Sequence, residues 1–351
     1  MQSDRTSGLV HGTAGPDGGQ RRIMSGMLSD TVPVYLDCDT GIDDALALGH
    51  LLASPRADLV GVGTVHGNID AAGAAENTLR LLALAGRQDV PVAVGAGTPL
   101  AGGFSGGAVA VHGADGIGGV RASLPDAVAS PGPEDTGDAV DLLIRLSHEY
   151  AGELQILAIC PLTNLAHALV RDPTLVDRIA GVTVMGGAAL VPGNARPAAE
   201  ANIWHDPEAA QATVAASWPV TLVPLDTTME HTLDETYRRR LAEAASPYAR
   251  ACGEMLDVYL NFYETVVLGR RAAALHDPLA AAIMLGEVAL LDAPRVHVEV
   301  DCTDGPSRGS TVCDLRSQRK APGDVPGATV RVVLETAPGY VDLLTELLES
   351  L

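Results

Sequence analysis

Apolar residues along this chain fall into short runs separated by longer stretches with helical spacing. Val34–Leu36, Leu59–Thr64, Val92–Val94, Leu154–Ile159, Gly181–Met185 and Val220–Pro224 read as buried strands. Residues 43–53, 70–86, 136–150, 164–170 and 206–216 between them read as helices. This alternation predicts an α/β fold with an open, mostly parallel central sheet flanked by helices. Further helices are expected over 234–246 and 247–265. The pattern then changes to alternating Val- and Thr-rich segments, Val296–Asp301 and Ala328–Leu334, which read as a small C-terminal hairpin or edge pair before a closing helix, Tyr340–Leu348. Ser317–Pro326 is polar with Pro and Gly, and is read as a loop. Residues 1–30, rich in Gly, Ser and Asp, read as a disordered extension, with Met24 or Met27 as alternative starts, ahead of a single domain over 31–351.

Composition sharpens this picture. Hydrophobic content of 47% with two Phe and two Trp describes a core of Ala, Val and Leu, suited to helices packed closely on a parallel sheet. A formal net charge of −21, with Lys320 as the single lysine, argues against a nucleic-acid polymer as partner, because phosphate contacts need clustered Lys and Arg. The five cysteines form no C-x-x-C pair and leave one odd, as expected for reduced thiols in a cytoplasmic protein. No apolar run reaches membrane-span length, and residues 1–30 lack the apolar core of a secretory signal, so no membrane partner is expected.

The chemistry concentrates at the end of the first strand. Leu36-Asp37-Cys38-Asp39-Thr40-Gly41-Ile42-Asp43-Asp44 puts four carboxylates within eight residues, around a glycine that lets the backbone turn. Carboxylates this close either hold one another's protons or neutralise a cation, and an all-oxygen set selects a hard ion, Ca²⁺ or Mg²⁺. Helix capping alone would account for Asp43 and Asp44 but leaves Asp37 and Asp39 unexplained.

Ligands of open α/β sheets bind beyond the carboxyl ends of strands. Those ends supply His66-Gly67-Asn68 after the second strand, Cys160-Pro161-Leu162-Thr163-Asn164 after Leu154–Ile159, and Gly186-Gly187 followed by Asn194, Glu200 and Asn202 after Gly181–Met185. Gly61-x-Gly63-x-x-x-Gly67 has the wrong spacing for a dinucleotide fingerprint, and no phosphate-loop motif is present. His112 follows a glycine-rich stretch, Gly102 to Gly107, that would suit a lid. Two similar segments, His205-Asp206-Pro207 and His276-Asp277-Pro278, each place an Asp at a helix start, where capping is the simplest role. One of the pair can be functional and the other a plain helix start.

Taken together, the Asp37–Asp44 segment, Gly67-Asn68, Pro161-Leu162-Thr163-Asn164, Met185-Gly186-Gly187, Asn194 with Glu200-Ala201-Asn202, and His276-Asp277-Pro278 closely resemble the inosine-uridine preferring nucleoside hydrolases. The resemblance runs from about residue 33 to the end of the chain. It implies hydrolysis of the N-glycosidic bond of ribonucleosides, a homodimer or homotetramer, and a bound Ca²⁺ held by Asp39, Asp44, Asp277 and the main-chain carbonyl of Ile159. It further implies Asp39 as general base toward water, His276 as acid toward the departing base, and His112 in the base pocket. Asp43, Asn68, Asn194, Glu200 and Asn202 would hold the sugar hydroxyls, as the resemblance has it. Ala201 stands where the family often carries a bulky aromatic, and Tyr259 and Tyr263 precede His276 as possible base contacts, so base preference does not transfer.

Two alternatives compete. Asp37-x-Asp39-Thr40 after a strand also fits a phosphatase of the haloacid dehalogenase type, which needs a downstream phosphate-binding Lys or Arg, and Lys320 lies in a late polar loop. A catalytically silent nucleoside- or ribose-binding protein would keep the cation site, but would need neither Asp39 as base nor His276 as acid.

Overall fold

The computed structural model describes residues 31–128, 137–318, 320 and 322–351. The extension expected over residues 1–30 lies outside the described residues, as do two residues of the Ser317–Pro326 loop. An eight-stranded sheet forms the centre. Its parallel strands include β1 (Val32–Cys38), β2 (Ala57–Thr64), β3 (Val92–Val94), β4 (Leu154–Ala158), β5 (Ile179–Met185) and β6 (Val220–Val223). Across the sheet they run β6-β5-β4-β1-β2-β3, and Val330–Val332 and then Arg295–Val296 complete the edge beyond β6. The chain therefore winds one way from β1 to β3 and the other way from β4 onward. The crevice of such a sheet opens between β1 and β4, which pair directly from Val34↔Gln155 to Asp37↔Ala158.

Strand alternation sorts β1 between two apolar layers. Val34, Leu36 and Cys38 join the layer built by the helices Ile42–Ala53, Pro247–Phe262, His276–Met284 and Tyr340–Ser350, whereas Tyr35 joins the layer of Ala139–Glu149, Thr163–Arg171 and Pro207–Ala215. Asp37 shares the second face with Tyr35, and Asn164 at the start of the Thr163–Arg171 helix donates to its Oδ1 at 2.8 Å.

Of the hairpin or edge pair expected from Val296–Asp301 and Ala328–Leu334, the structure has the edge pair, Val296 opposite Val330, and one helix boundary changes. Val330–Val332 enters the main sheet parallel to β6, Arg295–Val296 pairs with it antiparallel at the edge, and Val298–Val300 pairs instead with Thr311–Cys313. Alternation marks a strand but does not name its neighbour. The helix expected to continue to residue 265 ends at Phe262 and widens into a π-helical turn, Tyr263–Leu268, closed by Gly269 at φ 64°. The Thr265 hydroxyl turns back onto the carbonyls of Asn261 (2.8 Å) and Phe262 (3.2 Å) within this turn. Among the described residues no helix is long and apolar enough to cross a membrane.

Gly253 lets two helices of the first layer approach closely, because a Cβ there would fall on the backbone of Ala242 in the neighbouring Glu235–Ala242 helix. Gly253→Val should cost about 1–3 kcal/mol of stability by overpacking. Chemical denaturation checks this, and an unchanged midpoint would contradict the packing described.

Candidate active site

The four carboxylates after β1 diverge in role once folded. Asp37 is fully buried on the Asn164 side, its Oδ2 without a hydrogen-bond partner and its pKa pushed up to about 7 by burial. Asp39, 1% exposed, accepts the Asn68 N–H at Oδ2 (2.7 Å) and the Asn68 amide at Oδ1 (3.2 Å). Gly67 is required there, since a Cβ at that position would overlap the Asp39 carboxylate. Asp44 reaches back from the first helical turn to take the N–H groups of Asp39 (3.2 Å) and Gly41 (2.8 Å), so it caps its helix and fixes the turn together. The Asn68 amide also donates to Asp44 Oδ2 at 3.1 Å, tying Asp39 and Asp44 to one donor.

Asp277, far along the chain, joins them. One oxygen from each of Asp43, Asp44 and Asp277 lies within 4.8 Å of the others, all three buried. At that spacing, with an effective dielectric near 20, each ionised pair repels by about 3 kcal/mol. The shifts follow. Burial raises the Asp277 carboxyl well above its ordinary value, and the charges of Asp43, Asp44 and Asp39 add to it. Burial and then Asp44 do the same to Asp39, and burial and then Asp43 push Asp44 up to about 7. Asp43 Oδ1 is a buried acceptor with no hydrogen-bond partner. Crowded, buried, oxygen-only and under-satisfied groups of this kind fit a hard divalent cation such as Ca²⁺. The trio differs from the expected ligand set in holding Asp43 where the sequence pointed to Asp39. Ile159 lies one residue beyond β4, its N–H bonded to the Asp37 carbonyl at 3.0 Å, so its peptide stands beside the acidic strand end.

The decoy separates cleanly. Asp206 caps the Pro207–Ala215 helix through the Ala209 N–H (3.1 Å) and takes the Thr163 hydroxyl (2.7 Å) and the Leu100 N–H (2.9 Å). Both its oxygens are used.

The sugar-side candidates after β5 hold one another. Glu200, 2% exposed, receives the N–H groups of Gly187 (3.0 Å), Asn202 (2.9 Å) and Ile203 (3.1 Å), while burial pushes its pKa up to about 7. Asn202 donates to the Met185 carbonyl at 3.1 Å, and Asn194, exposed, accepts the Ala201 N–H at 2.9 Å. These two amides brace the segment that carries Glu200.

A second, less acidic cluster lies on the other side of Asp43. Tyr259 donates to Asp43 Oδ2 at 2.9 Å, and its ring centroid is 5.5 Å from that of His112. His112 Nδ1 accepts the Ile42 N–H at 3.1 Å, which leaves the ring proton on Nε2. His276 is engaged at both nitrogens, Nε2 to the Tyr263 hydroxyl (2.6 Å) and Nδ1 to the Thr228 hydroxyl (2.7 Å). Burial holds both His112 and His276 below the ordinary histidine value, so both rings are neutral near pH 7. Thr228 had no place among the expected site residues. It lies just beyond β6, at the end of the short helical turn Leu225–Thr228.

With this geometry in place, the family model for the inosine-uridine preferring nucleoside hydrolases matches residues 34–338. The chain belongs to that family. This nucleoside hydrolase is 35% identical over 320 residues to the pyrimidine-specific ribonucleoside hydrolase RihA of Salmonella gallinarum, covering 91% of this chain and 98% of the relative. The RihA of Citrobacter koseri is 36% identical over 317 residues, covering 90% and 97%. A plant nucleoside hydrolase superposes with a TM-score of 0.79 at 31% identity, covering 91% of this chain and 98% of that one. A purine-preferring ribonucleoside hydrolase from Gardnerella vaginalis gives 0.82 at 29% identity with the same coverage. Membership makes the nucleoside hydrolase described here an N-glycosyl hydrolase. The family match over residues 34–338 replaces the phosphatase reading, and Asp37 is instead bonded to Asn164 on the far side of the strand end.

Added Ca²⁺ should raise the melting temperature, Asp277→Ala should abolish that rise, and Asp206→Ala should lower the melting temperature through its lost cap and keep the rise. Thermal unfolding with Ca²⁺ or chelator reads both. A Ca²⁺ response lost in Asp206→Ala and kept in Asp277→Ala would reverse the assignment.

Proposed function

We propose that this nucleoside hydrolase cleaves the N-glycosidic bond of ribonucleosides to ribose and free base, with Ca²⁺ as its resident cation. The observation that carries the reading is the convergence of Asp277 with Asp43 and Asp44 at the sheet's switch point, beside Asp39. Asp39, Asp44, Asp277 and the Ile159 carbonyl would hold the cation, with Asp43 within reach of the same group. When bound, such an ion supplies positive charge that grips vicinal hydroxyls and lowers the pKa of a coordinated water.

The protein's own residues do the rest. Asp39 accepts a proton from the attacking water as its oxygen bonds to C1′. The Asn68 N–H and amide hold that carboxylate in one orientation, so the base is aimed before the substrate arrives. Asp43, Asn68, Asn194, Glu200 and Asn202 hold the ribose hydroxyls and set the angle of C1′ toward the water. Carboxylates on this side also suit the positive charge that develops on the sugar ring in the transition state.

The C1′–N bond breaks with its electron pair on the base, which then needs a proton. His112 lines the base side and can donate from Nε2. His276 acts as acid through Tyr263, because both imidazole nitrogens are already occupied. The Tyr263 hydroxyl gives its proton to the base while the His276 Nε2–H, held by Thr228 at Nδ1, steadies the phenolate left behind; as the products leave, Asp39 releases to solvent the proton it took from water and solvent returns one to Tyr263. A pure nucleoside sensor would have no use for this proton path, nor for a base at Asp39.

Purified protein should release ribose from inosine or uridine, and Asp39→Ala should lower kcat by about 10²–10⁴. Near-wild-type turnover in that variant rules out Asp39 as base. Tyr263→Phe should slow inosine or uridine much more than p-nitrophenyl riboside, whose leaving group departs without a proton. Equal losses on both substrates would remove Tyr263 from the proton path.

A further inference from the structure

Behind the acidic cluster a buried polar network joins the two helices that supply its carboxylates. The Ile42–Ala53 helix carries Asp43 and Asp44 in its first turn and His50 in its last. The His276–Met284 helix carries Asp277 in its first turn and is followed by Glu287. His50, fully buried, places Nε2 2.6 Å from Glu287 Oε2 and Nδ1 2.9 Å from the Tyr340 hydroxyl. Tyr340, from the closing helix, donates to the carbonyl of Pro278 at 2.6 Å, one residue beyond Asp277. Ser54 donates to the second Glu287 oxygen at 2.5 Å, and Arg56 Nε to the Leu285 carbonyl at 2.7 Å.

Counting protons fixes the direction of the central bonds. A carbonyl only accepts, so the single Tyr340 proton goes to Pro278, and the Tyr340 oxygen accepts from His50 Nδ1. Nε2 meets the Glu287 carboxylate at 2.6 Å in a charge-assisted bond. The surrounding layer is Ala, Leu and Tyr, and a buried pair of this kind seldom adds stability over apolar packing. What it does here is geometric. It fastens the start of one helix to the end of the other through Tyr340 and His50, and the two distal ends through Glu287, Ser54 and Arg56. The helices it fastens are the two whose starts repel through Asp43, Asp44 and Asp277.

We infer that His50, Glu287 and Tyr340 are positioning residues: their network fixes the separation of the Asp43/Asp44 and Asp277 helix starts, and thereby sets the affinity of the carboxylate cluster for a divalent cation. The inference rests on the cation reading proposed above. Nothing in the network touches the cluster's carboxylates, so its loss acts on their spacing and leaves their chemistry intact.

The test is calorimetric titration of Ca²⁺ into the chelator-stripped full chain, with thermal unfolding in chelator run alongside. Tyr340→Phe removes one hydroxyl and keeps the ring, and Glu287→Gln removes one charge at the network's outer end. Leu175→Ala, in the apolar layer on the other face of the sheet, serves as a variant of lowered stability remote from the network. The inference expects Tyr340→Phe and Glu287→Gln each to weaken the Ca²⁺ dissociation constant tenfold or more, with Leu175→Ala within twofold of wild type. Wild-type affinity in both network variants overturns the tie and leaves the cation reading standing. Equal weakening in Leu175→Ala also overturns it, as a general effect of stability. A wild-type chain that binds no Ca²⁺ overturns the cation reading itself and this inference with it. If Tyr340→Phe does not fold, Glu287→Gln decides on the same scale.

Discussion

The structure is organised around the mutual repulsion of buried carboxylates. Asp39, Asp43, Asp44 and Asp277 are each at most 6% exposed, and their charges act on one another at close range. No hydrophobic fold gathers such groups without a compensating reason. They are held by three separate segments of backbone. Asp39 extends from the central strand, Asp43 and Asp44 open one helix, and Asp277 opens another more than two hundred residues later. The parallel sheet makes this possible, because β1 and β4 end side by side where the winding reverses.

A division of labour follows from that placement. The side facing Glu200, Asn202 and Asn68 is rich in oxygen acceptors and amides that would meet sugar hydroxyls. The side facing Tyr259, Tyr263, His112 and His276 is aromatic, and its two imidazoles are kept neutral by burial. Asp43 lies on the boundary, bonded to Tyr259 through one oxygen and grouped with Asp44 and Asp277 through its neighbourhood. A glycosidic bond laid across this boundary would find anionic groups under its sugar and neutral proton donors beside its base, which is the polarity that heterolysis toward the base requires.

Much of this was legible in the sequence. The parallel βα repeat, the acidic turn after β1 and the polar residues beyond β2, β4 and β5 all lie where the hydrophobic pattern put them, because strand ends in an open sheet are chemically exposed positions whatever the family. What the pattern could not supply was pairing. Val330–Val332 alternates like an edge strand yet sits inside the main sheet, since two-residue periodicity carries no information about the neighbour. His205-Asp206-Pro207 and His276-Asp277-Pro278 are locally equivalent, and only the tertiary fold gives Asp206 three donors and Asp277 two acidic neighbours. The engagement of both His276 nitrogens depends on Thr228 and on a π-helical turn at Tyr263, neither of which has a sequence signature as plain as an amphipathic stripe.

The proposed chemistry depends on one divalent cation neutralising this cluster. It is tested most directly by anomalous diffraction from crystals grown in Ca²⁺, with the wavelength set to bring out the metal. A single strong peak is expected, bounded by the carboxylates of Asp39, Asp44 and Asp277 and the carbonyl of Ile159. A map with no peak there, or with its metal beside Asp206 and those carboxylates bonded only to one another, would contradict the cation reading.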